Sequence, residues 1–386
     1  MNNQLNKILI KKILFSKSSK TKVIRSAILI ILVVALLIVS TIFINSMSLG
    51  IATKFSLLVN GEIEVNTTDN LVEKYDFIET SDTVYTISSI LYGKNDTQIT
   101  AVKAVDKTFF NDNRVESLNL ELTPNTSNLP SIIISKKVAE KLGLNIGEKA
   151  ALILAEDETR IRPKLLFIEG LYNSGYKEID MNLCFMDINE LKNILKSNLE
   201  GTQEIILKEG FDIKDSLITL NLDGYVSRAW YEIQASVYNN LLLSTQSLLI
   251  VFIVIALLTG YFVSSISSDL ITKDHKTIAI NKLSGLRDSV IKRNYFVSIE
   301  LFTLVSTLTG IALGIFISKS FLHILAKLPL DSIPALSWYL FDFDIIIPYS
   351  NIFIIGFALI FISMLSVFFS LKRIKKIEVL DMLNHE

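Results

Sequence analysis

The sequence predicts an α-helical membrane protein, with four transmembrane helices plus a mixed α/β (α+β) extracytoplasmic domain. Three observations predict it: four long apolar stretches, a polar segment lodged between the first two, and basic residues clustered on one side. The stretches occupy residues 26–47, 241–268, 295–318 and 345–371. Each reaches the ~20 residues that a helix rising about 1.5 Å per residue needs to cross a ~30 Å hydrocarbon layer. A soluble core helix would carry a polar face at 3.6-residue spacing. The run Ile28-Leu29-Ile30-Ile31-Leu32-Val33-Val34 has none.

Charge sets the orientation. Lys7, Lys11, Lys12, Lys17, Lys20, Lys22 and Arg25 precede the first stretch, with no acidic residue among them. Lys273, Lys276, Lys282, Arg287, Lys292 and Arg293 separate the second from the third, and Lys372, Arg373, Lys375 and Lys376 follow the fourth. The segment between the third and fourth has few bases and carries Asp331, Asp342 and Asp344. By the positive-inside rule the termini and the middle loop are cytoplasmic. The implied order is a cytoplasmic amphipathic segment (1–25), a first span (26–48) and a periplasmic α+β domain (49–235). A second span with an outer extension (236–268), a cytoplasmic loop (269–293) and a third span (294–318) follow. A periplasmic loop (319–344), a fourth span (345–371) and a cytoplasmic tail (372–386) complete it. The first apolar run and the basic region before it are too long for a cleaved secretory signal, so an uncleaved span is expected.

Composition narrows the function classes. A formal net charge of −1 gives no footprint for nucleic acid. The single Cys184 cannot make an internal disulfide. His275, His323 and His385 fall in different compartments of this topology and cannot share a metal. The chain has no G-x-x-x-x-G-K-[S/T] loop, G-x-S-x-G elbow or H-E-x-x-H pair. No catalytic residue, metal site or cofactor is therefore expected in this chain, and the acidic residues of the external domain read as solvated surface.

In that domain the expected strands are 84–91, 98–105, 131–135, 150–155, 164–169, 203–207 and 224–230. A helix over 136–142 is expected to end at Gly143 in a left-handed conformation. Asp187 and Glu190 have capping-box spacing ahead of a helix at 188–196. From Tyr231 no helix breaker intervenes, which predicts one rigid rod into the second span.

The remaining features are mechanical. Ser306, Gly310, Gly314 and Ser318 recur every four residues in the third span, a stripe that lets helices approach closely, either within this subunit or at a subunit interface. Glu300 lies one to two turns inside the same span and is expected to snorkel toward Lys292 or Arg293. Residues 7–15 alternate bases with apolar residues, as suits a helix lying in the membrane interface. In the middle loop, Ile278, Leu283 and Leu286 form a loose apolar stripe.

That loop carries a resemblance. Ile278-Ala279-Ile280-Asn281-Lys282-Leu283-Ser284-Gly285 resembles the "I-A-I-L-K-x-M-G-A" signature of the FtsX/MacB superfamily of ABC-transporter permeases. Lys376-Ile377-Glu378-Val379-Leu380 is similar to its closing "P-x-E-A-L-R", without the proline. Ile132 to Glu148, the run Leu171-Tyr172-Asn173-Ser174-Gly175-Tyr176-Lys177-Glu178-Ile179-Asp180, and Trp230-Tyr231-Glu232 resemble segments of the lipoprotein-releasing permeases LolC and LolE. The first span ends Asn45-Ser46-Met47-Ser48 where that family often has M-N-G-F. The loop at 156–162 is short where LolC carries a chaperone-binding hook, which points to a LolE-like role or a degenerate homologue.

The resemblance implies a MacB-like periplasmic core and a non-catalytic inner-membrane permease subunit. It implies a LolD-like ABC ATPase partner, holding ATP and Mg on its own chain, and a second LolC- or LolE-like permease. It also implies a lipoprotein cargo, a LolA-like periplasmic chaperone and membrane lipids as partners. Carried over, it places ATPase coupling on Ile278, Ala279, Lys282, Leu283, Gly285 and Arg287. Lipoprotein contact falls on Ile42, Phe43, Met47, Leu49, Leu241, Leu242 and Leu248, where apolar outer helix ends adjoin the external domain. The alternatives are a MacB-like exporter of peptides or drugs, and an FtsX-like relay that signals to cell-wall hydrolases.

Overall fold

The computed structural model describes residues 20–154, 163–195, 201–325, 345–372 and 374. The predicted amphipathic stretch at 7–15, the loop at 156–162, residues 326–344 and the tail motif at 376–380 lie outside the described residues.

A long helix, α1 (Lys20–Phe55), continues into a π-helical turn at Ser56–Asn60. Strands β1 (Ile63–Val65), β2 (Ile78–Tyr92) and β3 (Thr97–Val105) follow, then α2 (Asp112–Leu118), β4 (Glu121–Leu122), β5 (Ser131–Ser135) and α3 (Lys136–Leu142). Next come β6 (Lys149–Leu154), β7 (Lys164–Tyr172), α4 (Lys177–Asn182), β8 (Leu183–Asp187), α5 (Ile188–Leu195), β9 (Thr202–Leu207), α6 (Ile213–Leu222) and β10 (Ser227–Ala229). The chain then returns to helix: α7 (Trp230–Ile233), α8 (Ala235–Lys273), α9 (His275–Leu283), α10 (Asp288–Leu325) and α11 (Tyr349–Leu371). Among the described residues α1, α8, α10 and α11 are long and apolar enough to cross a membrane. Contacts divide the chain into two compact units, with breaks at Ser46/Met47 and Leu241/Leu242.

The helical unit is a bundle whose directions can be read from its contacts. A Cβ added at Gly310 would lie 2.8 Å from Val34 Cβ, and one at Gly314 would lie 2.8 Å from Ile38 Cβ. Both positions rise together, so α1 and α10 run parallel. Lys22, near the start of α1, pairs with Asp269, near the end of α8, at 2.7 Å, and α8 runs parallel to α11, since Gly260 lies against Ser366 and Ser264 bonds Ser370. A Cβ at Gly356 would meet Ile311 at 3.1 Å, and Ser363 bonds Glu300, making α11 antiparallel to α10. Directions therefore alternate along the chain, as four successive crossings require. The small-residue stripe resolves toward packing within the subunit: Ser306 and Ser318 are buried, and Gly310 and Gly314 let α10 lie against α1.

The other unit is a ten-stranded sheet in the order β10-β1-β9-β2-β3-β8-β5-β7-β4. Strand β6 pairs with both β2 and β7, closing β2-β3-β8-β5-β7-β6 into a ring. The β3/β8 and β5/β7 pairs are parallel and the others antiparallel. Inside the ring pack Leu91, Val102, Ile132, Ile134, Val138, Leu152, Leu166, Ile168 and Cys184. Burial pushes the Cys184 thiol up to about 12, so it behaves as a small apolar side chain. The outer half of β2 carries the β9-β1-β10 wing, whose own core gathers Ile63, Val65, Ile78, Ile205 and Leu220.

Local chemistry explains these elements. Ser135 Oγ accepts from Val138 N at 3.0 Å and starts α3, and Gly143, at φ 67°, ends it in the left-handed region that a side chain would strain. At α5 the capping box does not form. Asp187 Oδ1 accepts from Asn189 N at 2.8 Å, but Glu190 turns away to accept from Ser131 N at 2.7 Å. The expected rod forms as the 39-residue α8, but it starts at Ala235 and not at Tyr231. Helix α7 ends at Gln234, whose side-chain amide donates to Asn60 Oδ1 at 2.8 Å, and α8 begins at Ala235.

The stripe yields a test. Gly310→Leu with Gly314→Leu must push α1 from α10, at about 1–3 kcal/mol per overpacked site. Purified full-length protein should melt lower and elute less homogeneously; a wild-type melting curve would show that α1 does not depend on this approach.

Candidate functional site

The coupling segment identified by resemblance is a helix with two faces. Ile278 and Ala279 are fully buried, and Ile278 belongs to the apolar core of the bundle. Leu283 is 66% exposed and Ile280 55% exposed. The expected Ile278–Leu283–Leu286 stripe is therefore corrected. Five residues turn an α-helix through about 500°, which leaves Leu283 roughly 140° from Ile278. Ile278 anchors α9 to this chain's own bundle, whereas Ile280, Leu283 and Leu286 form the outward apolar face. Lys282 Nζ donates to Ile374 O at 3.1 Å and lies 3.3 Å from Asp288, so its charge ties α9 to α10 and to the end of α11. Gly285 has φ 82°, the left-handed turn that releases the chain toward Arg287 and α10.

Glu300 departs from expectation. It is 8% exposed, and both carboxylate oxygens accept from Ser363 Oγ, at 2.9 and 2.8 Å. A carboxylate that faces the bundle and finds a hydroxyl there does not snorkel to the basic edge.

In the sheet unit the end of the first helix is held by buried charge. The π-helical turn leaves carbonyls without intrahelical partners. Arg114 Nε donates to Leu57 O at 3.1 Å, and Lys103 Nζ donates to Leu58 O at 2.8 Å and Val59 O at 3.0 Å. Each cation has its own carboxylate: Lys103 lies 2.6 Å from Glu204, and Arg114 lies 2.7 Å from Asp82. Both cations also face the Phe109 ring, at 4.8 and 3.9 Å from its centroid. Burial pushes the Glu204 carboxyl up to about 7 and lowers Lys103, and their contact opposes both shifts. These charges are not the solvated surface expected from sequence. The missed signal lies in β3, where Lys103 shares a side of the alternation with Ala101 and Val105.

The segments that resembled lipoprotein-releasing permeases brace the same helix end. Lys54 donates to Ser174 O, and Phe55 packs edge-on against Tyr176 with centroids 5.6 Å apart. Buried Asp180 accepts from Ser174 N at 2.8 Å, Ser174 Oγ at 2.6 Å and Lys137 Nζ at 2.9 Å, folding the Asn173–Tyr176 turn. Tyr172 Oη donates to Leu183 O at 2.6 Å, and burial raises its phenol well above the ordinary value. Trp230 is buried, and Glu232 accepts from Ala229 N at 3.1 Å to start α7.

The lipoprotein-contact candidates scatter. Ile42 is buried in the bundle core, continuing the Val34–Ile38 face at i+4 that meets α10, so it is unavailable to a ligand. Phe43, Leu242 and Leu248 of the helical unit are half-buried or exposed. In the sheet unit Leu49 is exposed, while Met47 and Leu241 pack partly against the core.

Residues 249–379 match the family described as FtsX-like permease C-terminal. That part of the chain is thus similar to the C-terminal domain of FtsX-like permeases, in a chain whose described residues include four helices long and apolar enough to cross a membrane. Its relatives include the lipoprotein-releasing system transmembrane protein LolC of Xylella fastidiosa strain Temecula1, 24% identical over 50% of this chain and 49% of the relative. LolC of Haemophilus influenzae is 22% identical over 66% of this chain and 64% of the relative. The chain thus spans about half to just under two thirds of these relatives' length. The periplasmic region of MacB from Actinobacillus actinomycetemcomitans gives a TM-score of 0.30 at 11% identity, covering 46% of this chain and 92% of that one. The extracellular domain of the transporter YknZ from Gram-positive bacteria gives 0.27 at 13%, covering 40% and 82%.

The buried charges make a prediction. Lys103→Met strands Glu204 and two carbonyls and should destabilise the protein by about 3–5 kcal/mol. Adding Glu204→Leu should recover part of that loss. Thermal unfolding of the single and double variants checks it; equal losses in the two would mean that the carbonyls, not the carboxylate, set the cost.

Proposed function

We propose that this chain is the permease subunit of an ABC transporter that extracts lipoproteins from the inner membrane, driven by a separate ATPase. The observation that carries it is α9. A short helix between two membrane helices turns Ile278 into its own bundle and presents Ile280 and Leu283 outward, with Leu286 exposed just past the Gly285 turn. The chain contains no phosphate-binding loop. An apolar face rimmed by Lys276 and Arg287 suits docking on a nucleotide-binding partner, which supplies ATP and Mg. The positive-inside distribution supports a cytoplasmic side for this face and the opposite side of the membrane for the sheet unit, the periplasm on this reading. Similarity to LolC proteins favours a lipoprotein as cargo, passed to a periplasmic chaperone, with a second permease completing the complex.

Binding of ATP closes the ATPase dimer and moves α9. The motion enters the bundle through Ile278 and the Lys282 contacts, and α1 carries it to the braced end at Lys54–Asn60. The cargo's acyl chains are placed on the later turns of α1, at Phe43, Met47 and Leu49, which are not committed to the bundle core as Ile42 is.

Two experiments test this reading. Ile280→Asp with Leu283→Asp should abolish co-purification of the ATPase without lowering the yield of folded permease, because both side chains are exposed. Ile278→Asp should instead lower the yield itself by burying a charge. Undiminished ATPase recovery with the exposed pair mutated would remove the coupling assignment. Photo-crosslinkers at Phe43 and Met47 should capture lipoprotein before ATP is added and lose it afterwards. Crosslinks to phospholipid alone, insensitive to nucleotide, would rule out a lipoprotein cargo on α1.

A further inference from the structure

The antiparallel packing of α1 on α8 opens a cleft of about 240 Å³ at the basic end of the bundle. Lys22, Arg25 and Lys273 line it, against one carboxylate, Asp269, which is paired with Lys22 at 2.7 Å. The floor is apolar and closed: Val23, Ile266 and Leu270 are all buried. Ser26 and Ser265 add hydroxyls on the side nearer the apolar runs. At about 240 Å³ the cleft is on the scale of a lipid headgroup and not of a whole lipid.

What leads out of the cleft is informative. Continuing from Lys22 and Arg25 at helical spacing, α1 presents Leu29, Leu32 and Leu36, all exposed. From Asp269 and Ser265, α8 presents Tyr261, Leu258 and Val254, also exposed. Two bare apolar tracks thus begin where a basic, hydroxyl-lined cleft ends. A soluble anion would use the cleft and leave the tracks idle; a neutral lipid would use the tracks and gain nothing from three cations.

We infer that this cleft binds an anionic phospholipid, its phosphate among Arg25, Lys273 and Lys22 and its acyl chains along the α1 and α8 tracks. Charged headgroups between transmembrane helices are held in this manner by basic pockets at the membrane edge. The inference is independent of the transport reading, since it needs only the helical unit and a bilayer. A lipid in this position would add a tie between α1 and α8 beside the Lys22–Asp269 pair.

Native mass spectrometry of the purified full-length chain, titrated with phosphatidylglycerol or with phosphatidylcholine of the same acyl chains, tests the site. Phosphatidylglycerol should be retained in clear excess. Arg25→Gln with Lys273→Gln should weaken that retention about thirty-fold, the factor for two surface charges near a lipid headgroup, and leave phosphatidylcholine unchanged. Lys276→Gln, outside the cleft, should change nothing. Equal retention of the two lipids by the wild-type chain overturns the proposal and does not depend on any variant folding. So does unchanged retention in the double variant. Displacement of the lipid by millimolar inorganic phosphate alone would show a small-anion pocket and overturn the lipid assignment.

Discussion

The sheet unit is organised by the need to satisfy the open carbonyls at the end of α1. A helix that finishes inside a folded domain presents carbonyls that water cannot reach, and leaving them bare costs more than a typical hydrogen bond gains. Leu57, Leu58 and Val59 are in this position. Two cations answer them, and both are nearly inaccessible to solvent. Cations so placed require carboxylates, which must come from elements that reach the same spot. Glu204 comes from β9 and Asp82 from β2, strands that are neighbours in the sheet. Lys103 comes from β3, on the other side of β2, and Arg114 from α2 just beyond it. Four elements distant in sequence are thereby fixed around one helix end. The strand order β9-β2-β3 is the arrangement that brings them together.

This constraint explains why sequence revealed some parts and hid others. The apolar spans were legible because length and hydrophobicity alone decide them. Helix α3 was legible because Ser135 and Gly143 mark its ends by local chemistry. Strand β8 was not, because Leu183 to Met186 are buried on both faces and show no alternation. Strand β1 is three residues long and exists through its partners β9 and β10. The buried charges were hidden for a related reason. Lys103 and Glu204 resemble any surface lysine and glutamate until tertiary pairing puts them together. The two faces of α9 could have been separated from sequence by counting turns, since Ile280 and Leu283 are three residues apart and Ile278 and Leu283 five.

The helical unit solves its polar problem differently. In α10 the hydroxyls of Thr303, Ser306, Thr309 and Ser318 donate back to carbonyls four residues earlier, so these four are satisfied inside their own helix, while the buried Thr307 hydroxyl has no hydrogen-bond partner among the described residues. Glu300 cannot be satisfied that way and takes Ser363 from α11. This side-chain bond lies deep between α10 and α11, whose contact is otherwise apolar and includes Ile311 against Gly356. A single directional bond in an apolar contact sets rotation and register, because sliding either helix by a turn would leave a carboxylate unpartnered.

The two solutions differ in how much motion they allow. Back-bonded hydroxyls and glycine contacts put no directional bond between helices, which leaves such bonds at separate points of the bundle, as at Glu300–Ser363, Ser264–Ser370 and Lys22–Asp269. The charged end of α1 allows less, because moving it by one residue breaks the bonds from Arg114 and Lys103 to the Leu57, Leu58 and Val59 carbonyls. Lys54 and Phe55 add further ties to the Ser174–Tyr176 turn on the same helix end. A helix gripped this tightly at one end moves with the sheet unit as one body there. Its apolar length, from Ile28 to Ile42, is instead held by packing that can slide. The same helix is thus held by directional bonds in its last turns, within the sheet unit, and by apolar packing along Ile28 to Ile42, within the helical unit.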